Sequence, residues 1–235
     1  LPQLSYPVNE AFNTLSTNVS FLGRDIKKIM ITSSQASEGK SFTSITLCRK
    51  LAERGKRVVL VDTDLRRSRI TTVYGVQFAP GSKKQGLSHY LAGIAEKEEV
   101  LFNTNIPGMD FIPMGHELLN PIPLLSSERF QNLLDGLAEQ YDYVIVDAAP
   151  VGVVIDAAEI AKACDGILLV VSYNQVHRQE LIDVKNQLEQ TGCPILGTIL
   201  NQVDYEGFAN KKYYYKSHYS SYYKAYEKEA EEKKS

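Results

Sequence analysis

Short, almost uninterrupted apolar runs alternate along the chain with segments of helical periodicity, and this alternation limits the possible folds more than any other sequence feature. The runs at 144–146 and 167–171 read Val-Ile-Val and Ile-Leu-Leu-Val-Val. A strand without a polar face is buried on both sides, which is typical of a parallel sheet covered by helices. We therefore predict an α/β domain with a doubly wound, mostly parallel sheet.

The other predicted elements continue this alternation. Strands are predicted at 28–32, 57–61, 143–146, 166–172 and 195–200, and helices at 8–22, 40–54, 126–140, 156–163 and 176–190. Residues 77–115 are predicted to form a less regular insertion with one short helix near 87–92. We divide the chain into an N-terminal helical segment at 1–25, one α/β domain at 26–207 and a flexible polar tail at 208–235.

Composition argues against several classes of protein. The net charge of -2 gives no reason to expect nucleic acid as a main partner. Cys48, Cys164 and Cys193 are widely spaced and form no Cys-x-x-Cys pair, so we expect reduced structural thiols. The sequence contains no run near the ~20 apolar residues of a membrane-spanning helix. We expect a cytoplasmic protein that reaches the inner face of the membrane only through a partner.

A loop with the composition of a phosphate-binding loop connects the first predicted strand to the helix that follows. Residues 34–41 read Ser-Gln-Ala-Ser-Glu-Gly-Lys-Ser, the pattern G-x-x-x-x-G-K-S with Ser34 in place of the first glycine. Backbone N–H groups at such a turn, together with the positive end of the helix dipole, bind phosphate. We predict that ATP binds to this loop, with Lys40 on the β- and γ-phosphates and Ser41 on Mg²⁺. The predicted nucleotide-binding residues are Ser37, Glu38, Gly39, Lys40, Ser41 and Phe42.

Acidic residues directly follow two other predicted strands. Asp62 and Asp64 come after one of these strands, and Asp147 comes after the other. The carboxyl ends of parallel strands meet at one edge of the sheet, where open α/β sheets bind ligands. We therefore expect these carboxylates to converge on the phosphates, with Asp62, Asp147 and the Ser41 hydroxyl as the ligands of Mg²⁺.

Two further polar residues are predicted to lie near this edge. Arg66 follows the acidic pair, where it pairs with a carboxylate of the site, approaches a phosphate or forms a simple surface salt bridge. Asn201 ends the last predicted strand, where it either donates its amide to the adenine edge or belongs to an ordinary turn.

Half of the fourteen tyrosines lie close together in the polar tail, interspersed with lysine and serine. Packing does not explain this placement, because a buried tyrosine needs apolar neighbours and a partner for its hydroxyl. The cluster is either a weak aromatic adhesive surface or a set of phosphorylation sites. Its members are Tyr213, Tyr214, Tyr215, Tyr219, Tyr222, Tyr223 and Tyr226.

Taken together, these motifs resemble those of the bacterial tyrosine kinases of capsular and exopolysaccharide biosynthesis, specifically the cytoplasmic kinase subunit of Gram-positive bacteria. The resemblance is carried by the phosphate loop at 34–41, by Leu-Val-Asp-Thr-Asp-Leu-Arg at 60–66, by Val-Asp-Ala-Ala-Pro at 146–150 and by the terminal tyrosines. Asn-Pro at 120–121 ahead of a predicted helix also fits, so the similarity covers essentially the whole chain.

The resemblance implies an ATP-dependent protein-tyrosine kinase with a phosphate-loop fold of the MinD/ParA-like type. For phosphoryl transfer to tyrosine we predict Lys40, Asp62 and Asp64 as catalytic residues, and by position either Asp64 or Asp62 accepts the tyrosine proton. The substrate would be the tail itself, phosphorylated in trans by a neighbouring subunit, and this modification would regulate polysaccharide synthesis and export.

The resemblance also implies partners. A transmembrane adaptor of the Wzz-like chain-length family would activate the kinase, and a cognate tyrosine phosphatase would reverse the modification. Members of the family assemble into rings through Glu-x-x-Arg-x-x-Arg, and this chain keeps Glu10 but has Asn13 and Ser16 in place of both arginines. Because neither side chain replaces a bidentate guanidinium contact, we expect a weaker ring or one with different contacts.

Two other functions fit parts of the sequence. One is a MinD/ParA-like regulatory ATPase, although such proteins carry a signature lysine where this chain has Gln35. The other is a catalytically inactive, nucleotide-binding scaffold, against which the retained Lys40 and the three aspartates argue.

Overall fold

The computed structural model describes residues 4–23, 25–79, 81, 83–152 and 156–203. The strands are β1 (Lys28–Ser33), β2 (Val58–Asp62), β3 (Phe102–Asn103), β4 (Met109–Ile112), β5 (Tyr143–Asp147), β6 (Gly166–Ser172) and β7 (Ile195–Asn201). The helices are α1 (Tyr6–Ser20), α2 (Lys40–Glu53), α3 (Ile70–Val73), α4 (Leu87–Leu91), α5 (Lys97–Val100), α6 (Ile122–Leu125), α7 (Glu128–Gln140), α8 (Asp156–Ala161) and α9 (Arg178–Glu189).

The described strands form one sheet in the order β3-β4-β2-β5-β1-β6-β7. All neighbours pair in parallel except β3, which runs antiparallel to β4 at the edge. The strand order reverses beside β1 and β5, and open α/β sheets bind ligands at the carboxyl ends of strands at such a point. The predicted doubly wound fold is confirmed.

Successive residues of the central strands point to opposite faces of the sheet, and helices cover both faces. On β5, Val144 and Val146 pack with α7, α8 and α9, whereas Ile145 packs with α1 and α2. All five residues of β5 are buried. This two-sided burial explains the uninterrupted apolar runs, since neither face of these central strands contacts water.

Residues 77–115 are more regular than predicted, because besides the expected short helix the segment adds β3 and β4 to the main sheet. Residues Met109–Ile112 pair in parallel with β2. The strand is short and contains Asp110, whose carboxylate accepts hydrogen bonds from the Tyr141 hydroxyl at 2.6 Å and from Asn103 Nδ2 at 2.8 Å. Asp110 interrupts the apolar run, so the sequence pattern did not indicate a strand here, and in the fold these two partners satisfy its carboxylate.

Within the described ranges, no helix has the length and apolar character needed to cross a membrane. Cys48, Cys164 and Cys193 are free thiols, as expected. The tyrosine cluster at 213–226 lies outside the described residues, so the structure does not bear on that prediction.

Candidate active site

The predicted phosphate loop occupies residues 34–39, between the end of β1 and the start of α2. Gly39 precedes the helix with φ of 89°, a left-handed conformation that glycine adopts without steric cost. A Cβ atom at this position would also lie 2.1 Å from Asn201 Nδ2. Glycine is therefore required both by the backbone conformation and by the close approach of β7.

A buried carboxylate organises the loop from within. Glu38 is 2% exposed, and its Oε2 accepts hydrogen bonds from Ser34 Oγ and from the backbone N–H of Gln35, both at 2.7 Å. Its Oε1 accepts from the backbone N–H of Ser172 at 2.8 Å. The serine that replaces the first glycine of the motif thus has a structural role, because its hydroxyl donates to Glu38.

Lys40, the first residue of α2, lies among the strand-end carboxylates. Its Nζ is 3.3 Å from Asp64 Oδ2 and 3.5 Å from Asp147 Oδ2. Burial lowers the pKa of Lys40, but the negative charges of Asp147, Asp64 and Asp62 outweigh it and raise the pKa overall. The ammonium group therefore stays charged, as a phosphate-binding lysine must.

Asp147 is completely buried and is held by two hydroxyls of α2. Its Oδ2 accepts from Ser41 Oγ at 2.7 Å, and its Oδ1 accepts from Ser44 Oγ at 2.8 Å. The backbone N–H and the hydroxyl of Thr63 donate to the carbonyl of Asp147 at 3.0 and 2.8 Å. Asp62 and Asp147 are paired positions on neighbouring strands, so β2 and β5 end together.

Asp62 is also completely buried, and one of its oxygens is free. Its Oδ2 accepts a short hydrogen bond from Ser68 Oγ, whereas Oδ1 has no partner among the described residues. Burial, with the nearby charge of Asp147, raises the pKa of Asp62 well above its ordinary value. A buried carboxylate oxygen without a partner needs a cation or a proton donor.

These donors fit Mg²⁺. In the described part of the chain, no group of three His, Cys, Asp or Glu side chains is arranged to hold a metal ion. Magnesium in phosphoryl-transfer sites, however, takes one or two carboxylates together with water and substrate phosphates. Asp62, Asp147 and the Ser41 hydroxyl supply oxygen ligands of this kind at the end of the sheet.

The segment after Asp62 is anchored on both sides. Asp64 is 7% exposed, and its Oδ1 accepts from the backbone N–H of Arg67 at 3.1 Å. The Arg66 guanidinium makes two hydrogen bonds to the buried carboxylate of Asp156, at 2.5 and 3.0 Å, and a third to the carbonyl of Leu119. Of the roles predicted for Arg66, the structure therefore shows pairing with a carboxylate, and that carboxylate is buried.

Two other predicted residues, Asn201 and Phe42, lie at the loop but contact protein groups, as does Gln35, the residue at the signature-lysine position. Asn201 Nδ2 donates to the carbonyl of Glu38 at 2.8 Å. The Phe42 ring packs edge-on against Phe12 of α1, with 5.7 Å between ring centroids. The Gln35 side chain donates to Glu180 of α9 at 2.6 Å. Nucleotide contacts of Asn201 and Phe42 stay predictions.

Sequence reasoning missed several residues whose hydroxyl or backbone N–H groups hold the acidic residues in place. Ser44 lies one turn after Ser41 on the same face of α2, and that spacing could have indicated it. Thr63 and Ser68 follow β2 in a segment without periodicity, and Ser172 ends a strand 134 positions away from Glu38. No local pattern in the sequence connects these three residues to the site.

Known proteins resemble this chain over most of its length. A family model described as an AAA domain matches residues 26–192. Tyrosine-protein kinase CpsD of Streptococcus agalactiae is 39% identical over 195 residues, which cover 83% of this chain and 82% of that protein.

Solved structures agree with this match. The kinase domain of the Escherichia coli tyrosine kinase ETK superposes with a TM-score of 0.77 at 34% identity, covering 83% of this chain and 75% of that one. The septum site-determining protein MinD of Pyrococcus horikoshii, complexed with Mg-ADP, has a TM-score of 0.62 at 24% identity, covering 74% and 70%. That second likeness concerns the fold alone.

The extent of these matches identifies the chain as a protein-tyrosine kinase built on a MinD-like phosphate-loop fold. Identity of 39% across more than four-fifths of both chains far exceeds what a shared fold alone requires. The chain belongs to the family of bacterial tyrosine-protein kinases.

Proposed function

We propose that this kinase transfers the γ-phosphoryl group of ATP to tyrosines of its own C-terminal cluster, in trans, and thereby regulates the synthesis and export of a capsular or exopolysaccharide. The observation that carries the proposal is the convergence of Lys40, Ser41, Asp62, Asp64 and Asp147 at one edge of the sheet. These are the groups that phosphoryl transfer needs, and the same chain contains a tyrosine cluster at 213–226.

The loop supplies binding and positioning. Lys40 neutralises charge on the β- and γ-phosphates, while the backbone N–H groups of residues 37–41 orient the triphosphate. Phosphoryl transfer requires little covalent chemistry from the protein, so fixed positive charge and alignment account for most of the acceleration. Ser44 contributes indirectly, because its hydroxyl holds the Asp147 carboxylate in place.

Asp62, Asp147 and Ser41 would hold the magnesium ion. When bound, Mg²⁺ offsets the negative charge of the transferred group. The unpartnered Oδ1 atom of Asp62 supports this assignment, since a buried carboxylate oxygen gains its missing partner on binding a cation.

The acceptor tyrosine must lose its hydroxyl proton, whose unperturbed pKa is about 10, as the new bond forms. Asp62 and Asp64 are the two candidate acceptors of this proton. Asp64 is the more exposed of the two, and Asp62 has the free oxygen. Asn substitutions at the two positions separate their roles, because asparagine keeps the shape but cannot take the proton.

Phosphorylation would reverse the charge of the tail, which suits a regulatory switch. Between Lys211 and Ser235 there are seven lysines and four glutamates, a net charge of about +3 before modification. Seven phosphates at roughly -1.5 to -2 each would add about -10 to -14. Neighbouring tails would then repel one another, and a ring of subunits would dissociate.

The proposal includes the partners that the family resemblance implies. A transmembrane adaptor of the chain-length family would activate the kinase at the membrane, and a tyrosine phosphatase would reset it. At the predicted ring motif, Asn13 bonds Glu10 within α1 and Ser16 is fully buried. A ring of this protein would therefore use other residues of α1 or other elements.

Mixing two variants, neither of which can phosphorylate its own cluster, tests transfer in trans. The donor is the full chain with all seven cluster tyrosines changed to Phe, and the acceptor is the full chain with Lys40→Met. We expect phosphotyrosine on the acceptor only when the donor is present, at a rate that rises with donor concentration.

Three results would contradict parts of the proposal. Wild-type phosphorylation at a rate independent of concentration, with no transfer in the mixture, would indicate a reaction in cis. Phosphate on residues outside the cluster would assign a different substrate. Steady ATP hydrolysis without phosphotyrosine would favour the regulatory ATPase.

A further inference from the structure

The carboxyl end of β7 is bonded directly to the phosphate loop by two consecutive side-chain amides. Asn201 Nδ2 donates to the carbonyl of Glu38 at 2.8 Å, and Gln202 Nε2 donates to the carbonyl of Ser37 at 2.9 Å. Neighbouring carbonyls of the loop are thus held by neighbouring residues of another strand end. Gln202 was not among the predicted site residues.

These bonds fix the peptide groups that a phosphate would contact. A peptide unit is planar and trans, so the carbonyl of one residue points opposite to the N–H of the next. Holding the carbonyl of Ser37 therefore sets the direction of the Glu38 N–H, and holding that of Glu38 sets the Gly39 N–H. Among the described residues, neither N–H has a protein acceptor, so both are free to bind an anion.

Both residues of the Gln202–Ser37 bond have unusual backbones. Ser37 has φ of 68° and Gln202 has φ of 57°, and neither is glycine. Left-handed conformations at such residues cost about 1 kcal/mol or more and persist where surrounding contacts enforce them. The side-chain bond joins these two positions, so each helps to hold the other in its conformation.

Gln202 is itself fixed by the end of β6. Its Oε1 accepts hydrogen bonds from Ser172 Oγ at 2.5 Å and from Gln175 Nε2 at 3.2 Å. The backbone N–H of the same Ser172 donates to the Glu38 carboxylate. The Gln202 amide is therefore oriented at its oxygen before its nitrogen reaches the loop.

We propose that Gln202 is a positioning residue for the nucleotide: by holding the Ser37 carbonyl it presents the Glu38 N–H to the phosphates of ATP. It acts through the loop backbone and takes no part in the transfer step. Its loss weakens nucleotide binding and leaves the rate at saturating ATP nearly unchanged.

Two variants of the full chain test this role. Gln202→Asn keeps an amide and suits a left-handed backbone at least as well, but its side chain is one methylene too short to reach Ser37. Gln202→Glu keeps the length and replaces the donor with an acceptor that faces a carbonyl. Gln175→Ala is the matched control, because it removes only the weaker bond to the Gln202 oxygen.

The measurements are the dissociation constant of Mg-ADP by calorimetry, the KM for ATP and kcat. We expect Gln202→Asn to weaken ADP binding and raise KM about fivefold to tenfold, the value of one ordinary hydrogen bond, with kcat within about twofold. Gln202→Glu should have the larger effect on both constants, and Gln175→Ala almost none.

Because ADP binding is measured without any transfer to tyrosine, this result does not depend on which residues the kinase modifies. Binding and KM within twofold of wild type in both Gln202 variants would overturn the proposal. A loss of kcat at unchanged KM would also overturn it, because it would place Gln202 in the transfer step.

Discussion

Replacing Glu38 by glutamine tests whether the buried carboxylate organises the phosphate loop. The wild-type carboxylate accepts from three donors, Ser34 Oγ, the Gln35 N–H and the Ser172 N–H. A glutamine in its best orientation keeps its oxygen toward the first two and turns its NH₂ toward Ser172. Two donors then face each other at a site that is 2% exposed.

The expected loss of stability follows from these contacts. A buried N–H without an acceptor costs about 1–3 kcal/mol, and the two remaining bonds weaken because their acceptor is no longer charged. Removing a buried charge offsets part of this loss, since the carboxylate no longer has to be desolvated. We expect a net decrease of about 2–3 kcal/mol, or roughly 4–12 °C in Tm for a domain of this size.

Thermal unfolding of the nucleotide-free chain measures the loss of stability. Calorimetric titration with Mg-ADP measures how far the phosphate loop loses affinity for nucleotide. Glu189→Gln is the matched control, because among the described residues the Glu189 side chain pairs only with Lys185, in an exposed pair on α9 that contributes about 0.3–0.5 kcal/mol. Equal melting temperatures for Glu38→Gln and the control would refute the reasoning. Unchanged ADP affinity would show that the loop does not depend on this carboxylate.

Three further predictions concern neighbouring groups. Ser68→Ala removes the hydroxyl that orients Asp62 and should lower kcat about tenfold, the value of one hydrogen bond to a charged group. Ser68→Thr keeps a hydroxyl and should restore most of the lost kcat. Equal kcat values for the two variants would contradict this prediction. Arg66→Ala leaves the buried Asp156 unpaired and should destabilise the fold by about 1–3 kcal/mol in urea unfolding, after allowance for the partial exposure of the arginine. Arg66→Lys should recover only part of that loss, because lysine lacks the planar fork; full recovery would mean that simple charge suffices. Burial and the nearby His116 lower the pKa of His89. The unfolded chain therefore takes up a proton at higher pH than the folded chain does, so the stability of the fold should decrease as the pH drops below about 6.5. His89→Asn should reduce the loss of Tm between pH 7.5 and 5.5, and an unchanged pH slope would exclude this contribution.

The central strands and the residues at their ends could be predicted from sequence because each depends on local pattern. Apolar runs buried on both faces mark β5 and β6, and the position of Asp147 directly after such a run places it at the ligand-binding edge. Lys40 and Ser41 follow from the motif itself. The structure brings all of these residues together.

Contacts between distant segments could not be predicted in this way. The bonds from Ser172 and Gln202 to the phosphate loop span 134 and 165 positions, and nothing in either local sequence signals them. The pairing of Arg66 with Asp156 spans 90 positions, so sequence alone could not choose among the roles of Arg66. Strand β4 was missed because Asp110 interrupts its apolar run. The Tyr141 hydroxyl that satisfies this aspartate lies 31 positions away, so no local pattern indicates the pairing.

The central claim is that this kinase transfers the γ-phosphoryl group of ATP, bound at its phosphate loop, to tyrosines of its own cluster. The most direct test incubates the purified full chain with Mg-ATP, with and without the cytoplasmic segment of the proposed adaptor, and maps modified residues by mass spectrometry beside Lys40→Met. We predict phosphate on tyrosines between Tyr213 and Tyr226 that is lost in Lys40→Met. Unmodified tyrosines throughout, together with steady ATP hydrolysis that Lys40→Met abolishes, would contradict the account.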